Sequence, residues 1–167
     1  MGIFDRLFGK KKEEYRTTMT SKNGIRTIKS YWNNNQLYQE GIQKDISISR
    51  DCLWKNHGLW KQYYKNGQLR GEINWKEGGH YGKQKTYYEN GQLKLDGNKK
   101  NGKFDGVLKM YYENGQLETE GNFKEGKKDG VFKDYYENGQ LESERNYKEG
   151  KLKSKKCWDE SGNVIEC

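Results

Sequence analysis

Proline is absent from this chain. A residue without a backbone donor would interrupt a hydrogen-bonded ladder, so strands here can pair without a break. Cysteine is scarce: Cys52, Cys157 and Cys167 have no metal or redox spacing, which excludes a disulfide-dense scaffold and fits a reducing cytoplasm. The two histidines, His57 and His80, have no Ser, Cys or carboxylate partner at motif spacing. No apolar run is long enough for a signal-peptide core or a transmembrane helix. Only 31% of the 167 residues are hydrophobic against 34% charged, too little for a compact two-layer core.

What the chain has instead is a repeat. Tyr-Tyr-Glu-Asn-Gly-Gln-Leu occurs at Tyr87–Leu93, Tyr111–Leu117 and Tyr135–Leu141, and Tyr63–Leu69 differs only by Lys65. Worn copies stand at Tyr31–Leu37 and Trp158–Val164. Gly67, Gly91, Gly115 and Gly139 are 24 residues apart, and Gly162 follows after 23. A fixed short period of this kind signals a repeat architecture.

Asn-Gly between two aromatic or apolar runs is a hairpin signal, because a two-residue type I′ loop needs positive φ at both positions. Taking Asn138 and Gly139 as that loop sets Tyr136 opposite Leu141, Tyr135 opposite Glu142, Asp134 opposite Ser143 and Lys133 opposite Glu144. The same register opposes Lys109 to Glu120, Lys85 to Asp96, Lys61 to Glu72 and Lys29 to Glu40, a recurrence a wrong register has no reason to produce. One face is then expected to carry the second Tyr and the Leu of each copy, with Trp60, Leu108, Phe132, Trp75, Phe123 and Tyr147. The other carries the first Tyr and the charged pairs. The fold class expected is all-β: an elongated single-layer antiparallel sheet of tandem hairpins, preceded by a short amphipathic helix.

Residues 1–14 form the amphipathic basic segment and residues 15–167 the repeat domain. Within it, copies are irregular over 15–57, regular over 58–147 and decayed into a cap over 148–167. Ile3, Phe4, Leu7 and Phe8 would share one helix face before Lys10, Lys11 and Lys12, the grammar of weak contact with anionic lipid or of a cap on the sheet. Another Asn-Gly turn at Asn23-Gly24 opens a three-strand meander ending near Gly41. About eight extra residues then interrupt the period within 42–56, where Asp45–Ser49 alternates like a strand. Such an insertion is either a binding element or a drifted repeat with a longer loop.

The pattern Gly-x-x-x-Gly-x-x-Lys-x-Tyr-Tyr-Glu-Asn-Gly-Gln-Leu, clearest at Gly102–Asn122 and Gly126–Asn146, resembles the variant MORN repeat. The resemblance covers roughly Tyr31–Val164, and Ile73 and Arg145 depart from it where Gly97 and Gly121 keep glycine. It implies successive hairpins in an elongated sheet. It also implies a role as a bacterial antitoxin or immunity protein beside a toxin, or as a scaffold with lipid contact.

No catalytic chemistry is legible. The repeated acids oppose lysines, Gly126–Gly130 does not match a phosphate loop, and no metal constellation or cofactor site stands out. Binding remains. The candidate partner surface is Trp60, Tyr64, Trp75, Tyr88, Tyr112, Phe123, Phe132 and Tyr136, rigid aromatic area of the type enriched at interface hot spots. The expected function is non-catalytic neutralisation of a cognate protein toxin by steric binding. The alternative is a peripheral scaffold binding anionic lipid through the N-terminal segment. The formal net charge of +8 suits anionic partners, but the acid opposite each strand lysine argues against nucleic acid. The expected location is cytoplasmic, or peripheral at the inner membrane face, with oligomeric state left open.

Overall fold

The computed structural model describes residues 15–45 and 54–167. The amphipathic segment 1–14 and the centre of the insertion lie outside the described residues. Strands β1 (Tyr15–Lys22), β2 (Ile25–Trp32) and β3 (Leu37–Asp45) open the chain, and β4 (Trp54–Tyr63) and β5 (Leu69–Lys76) follow. Next come β6 (Gly79–Tyr87), β7 (Leu93–Lys100), the short β8 (Lys103–Phe104), β9 (Gly106–Tyr111) and β10 (Leu117–Lys124). The chain closes with β11 (Lys127–Tyr135), β12 (Leu141–Lys148), β13 (Lys151–Trp158) and β14 (Val164–Ile165). All belong to one antiparallel sheet in which each strand neighbours the next in sequence, except that β7 pairs both β8 and β9. The expected single-layer sheet of tandem hairpins is the fold. The flanks of the insertion extend the β3–β4 arm, Ile42 facing His57 and Asp45 facing Trp54, so the third strand runs past Gly41.

The charged pairs form as expected and extend further than one hairpin. Lys29, Glu40, Lys61, Glu72, Lys85, Asp96, Lys109, Glu120, Lys133, Glu144 and Lys156 face one another in unbroken succession across the sheet. Ion pairs close at Lys29–Glu40 (3.6 Å), Lys61–Glu72 (4.0 Å), Lys85–Asp96 (3.9 Å) and Lys109–Glu120 (3.5 Å). Each is partly exposed and contributes little alone, so the ladder mainly fixes register.

The turns correct the expected loop. Gly139 N–H donates to the Tyr136 carbonyl and Tyr136 N–H to the Gln140 carbonyl, both at 2.9 Å, which makes Glu137-Asn138-Gly139 a three-residue loop. Asn138 Oδ1 accepts from Gln140 N–H at 2.9 Å, and only Gly139 takes positive φ, at 85°. This is a type I turn closed by a glycine in the left-handed region. The extra loop residue is offset by a bulge at Glu142: Tyr135 faces Leu141, while Asp134 still faces Ser143. Leu141 therefore lies opposite the first tyrosine, not the second, and the same holds for Leu69, Leu93 and Leu117. Two-residue loops do occur, at Asn23-Gly24 as expected. They also occur at the opposite ends of the hairpins, where Glu77-Gly78, Asn101-Gly102, Glu125-Gly126 and Glu149-Gly150 all take positive φ.

The core is one row on the face away from the charge ladder. Ile28, Trp60, Ile73, Leu108 and Phe132 are its buried apolar members. Rings and Leu108 lie over bare backbone: a Cβ on Gly41 would collide with Trp60, one on Gly121 with Phe132, and one on Gly97 would sit 2.7 Å from Leu108 Cδ1. Beside this row run buried polar groups, Ser30, Gln62 and Ser143. Cys157 is bonded to Cys167, with Cα atoms 5.4 Å apart, and the bridge ties β13 to the segment that follows β14. An odd, sparse count of cysteines that fits a reducing cytoplasm does not point to this pair, because ten residues in sequence say nothing until the final hairpin folds back.

Candidate functional site

The second tyrosine of each copy is built in by its hydroxyl. Tyr64 donates to the carbonyl of Tyr87, Tyr88 to that of Tyr111 and Tyr112 to that of Tyr135, each at 2.7 Å, and Tyr136 to that of Trp158 at 2.9 Å. The turn asparagines add a second tie to the next copy, such as Asn90 to the carbonyl of Glu113 at 2.9 Å. Each copy thus grips its successor, and the four rings form a half-buried band about 10 Å apart, twice the strand spacing. Burial raises all four phenol pKa values. Around Tyr112 the carboxylates Glu118 and Glu142 add to burial, and around Tyr64 Arg70 opposes it.

The bulge residue of each copy decides what covers that band. Tyr38, Arg70, Lys94, Glu118 and Glu142 are the residues left unopposed. Tyr38 packs on Trp32 with centroids 4.6 Å apart, Arg70 lies over the Tyr64 ring at 5.6 Å, and Lys94 over Tyr88 at 4.8 Å. A bulge re-aims its side chain, and a cation over a ring face is attracted to it.

A second aromatic band lies near the two-residue loops. Trp75 stands edge-on to His80 at 4.0 Å, and Phe123 sits between Phe104 (5.8 Å) and Phe132 (5.3 Å). Of the eight expected partner residues, Tyr64, Trp75, Tyr88, Tyr112, Phe123 and Tyr136 are half-buried on this face, in two bands separated by the core row. Trp60, 4% exposed, and Phe132, 1% exposed, are core residues with no surface to offer. Trp60 also donates from Nε1 to the Ile42 carbonyl at 2.8 Å. The expected lipid contacts Ile3, Phe4, Leu7, Phe8, Lys10, Lys11 and Lys12 lie outside the described residues.

The first tyrosines serve the charged face. Tyr63 donates to Glu40 at 2.9 Å and Tyr135 to Glu120 at 3.1 Å. Burial and the Glu40 hydrogen bond push the Tyr63 phenol up to about 12.

One cluster escaped the sequence reading. Asp134 accepts from Thr119 Oγ1 (3.1 Å), from Ser143 Oγ (2.7 Å) and from the Arg145 guanidinium. It backs a cavity of about 380 Å³ at the C-terminal end of the ring face. Arg145 replacing glycine was its only sequence signal. Among the described residues no group of three or more His, Cys, Asp or Glu is placed to hold a metal ion. Among them, too, no helix is long and apolar enough to cross a membrane.

Comparison with curated proteins finds no match. A family model described as a MORN repeat variant matches residues 56–77, 81–101, 104–125 and 128–149, more than half of the chain. These four segments coincide with the regular hairpins, each running from a β4-, β6-, β9- or β11-type strand through its turn and back. Such repeats are non-catalytic and generally bind proteins or membranes. With period, hairpin geometry and family model in agreement, the chain belongs to the MORN repeat variant family.

Proposed function

We propose that this chain is an immunity-type binding protein that neutralises a cognate protein toxin by occupying its surface with the ring face. The observation that supports this is the band of Tyr64, Tyr88, Tyr112 and Tyr136, held at fixed spacing by hydroxyl-to-backbone bonds. Rigid rings give contact area at low entropic cost, and steric occlusion requires no catalytic group. The test is capture from the lysate of the native host with a C-terminally tagged chain at moderate salt after nuclease treatment. The expected result is one stoichiometric protein that is toxic when expressed alone and harmless beside this chain. A captured partner without toxicity, or no protein partner, overturns the reading.

The sequence Met1–Lys12 favours a second reading, a peripheral scaffold on anionic lipid. Full-length protein should then sediment with anionic liposomes at low salt and lose this on deletion of residues 1–12. Failure of the full chain to sediment removes it.

A further inference from the structure

We infer that the last two regular copies form a recognition site for basic side chains, lysine or arginine, of a protein partner. This rests on the binding-protein reading and names the chemistry of the partner at one end of the ring face.

In the earlier copies the bulge residue covers its own ring: Tyr38 on Trp32, Arg70 over Tyr64, Lys94 over Tyr88. In the last two the same position is Glu118 and Glu142. A carboxylate cannot cap an electron-rich ring face, so Tyr112 and Tyr136 keep an acid alongside and no cation of the chain above them among the described residues. An incoming ammonium or guanidinium supplies what Arg70 and Lys94 supply to Tyr64 and Tyr88.

The cavity at this place has matching walls. Tyr112, Tyr136 and Trp158 contribute rings, and Glu118, Glu142 and Glu166 contribute carboxylates. The chain's own cations there are Arg145, held by Asp134, and the exposed Lys155, so acids prevail. This occurs in a chain of net charge +8, whose overall field repels a basic peptide. Binding of such a peptide must therefore come from a local site.

The experiment measures anisotropy of a fluorescein-labelled hexa-arginine peptide with the full-length protein at low ionic strength. A hexaglutamate peptide is the control. Saturable binding of hexa-arginine is expected, with E118Q/E142Q weakening it about tenfold. The charge-matched control E125Q/E149Q, at the opposite hairpin ends, should bind like wild type. K94E, which takes the cation off Tyr88 and adds a second acid to the Glu118 already near it, should strengthen binding. Far-ultraviolet circular dichroism confirms that each variant folds. Equal binding by wild type and E118Q/E142Q, or hexaglutamate bound as tightly, overturns the proposal. A captured toxin whose affinity ignores E118Q/E142Q keeps the immunity reading and removes this one. Hexa-arginine binding that depends on Glu118 and Glu142, with no toxin captured, does the reverse.

Discussion

At Gly97 and Gly121 a bare backbone receives Leu108 and Phe132 from the following strand. One copy earlier and one copy later, Ile73 and Arg145 stand in the place of glycine, and their neighbours on the following strand are Gln84 and Lys155. Where the glycine is kept, the facing residue is bulky and apolar. Where it is lost, the facing residue becomes an unbranched polar chain. Volume is thus conserved across a pair of strands rather than at a position. Ile73 is itself buried, so that copy fills the row from the other side. At the Arg145 copy the row turns polar, and the guanidinium binds Asp134.

The largest effect is expected at Phe132. Phe132→Ala should cost ~3–5 kcal/mol in urea unfolding, since the ring is buried over a glycine that cannot fill the void. Gln84→Ala, its counterpart in the copy without glycine, should cost far less. Next in size, Gly121→Ile should destabilise by ~1–3 kcal/mol through overpacking. Adding Phe132→Gln, which copies the Ile73–Gln84 pair, should recover part of that loss, with a coupling of ~0.5–3 kcal/mol. Strict additivity in that cycle would show that the pair is not the unit.

A smaller effect separates the two kinds of turn. Glu125 holds φ at 52°, whereas Glu137 in the three-residue loop does not take positive φ. Glu125→Asn should stabilise by ~0.5–1 kcal/mol, and Glu137→Asn should do nothing measurable by thermal denaturation. Lys109→Ala on the charged face should cost only ~0.2–1 kcal/mol, and the cost should fade in high salt.

Last comes alkaline pH. Tyr63 has a folded pKa of about 12 against an ordinary 10.0. A raised pKa means its contribution is fully present below pH 10.0 and lost as pH climbs towards about 12. The melting temperature should fall through that window, and Tyr63→Phe should flatten the fall. A wild-type melting temperature constant across it would remove the Tyr63–Glu40 bond from the account.

Much of this was legible from the residues. Lys–acid opposition gave the register because charges that meet across a hairpin sit at fixed sums of residue numbers. The face carrying Trp60, Phe123 and Phe132 followed from alternation. The turn type did not, because one dipeptide serves two geometries. Asn101-Gly102 is a two-residue loop with Asn101 at φ 51°, while Asn114 uses Oδ1 to hold Gln116 N–H. Local sequence cannot distinguish them, since the tie that favours the second form reaches the next copy, Asn114 to the Glu137 carbonyl at 3.1 Å. That loop moved Leu69, Leu93, Leu117 and Leu141 opposite the first tyrosines and left the bulge residues beside the second.

Period, strand pairing and alternating charges follow from the residues alone, because each depends on residues within one hairpin or on exact repetition of it. Tertiary structure alone decided which rings are surface and which are core, since Phe132 is buried by Gly121 and Tyr147, residues on flanking strands. It also decided that Cys157 meets Cys167, and that Arg70 and Lys94 close their tyrosines while Glu118 and Glu142 leave theirs open. Those outcomes depend on where a bulge aims a side chain, and a bulge exists only once two strands have paired.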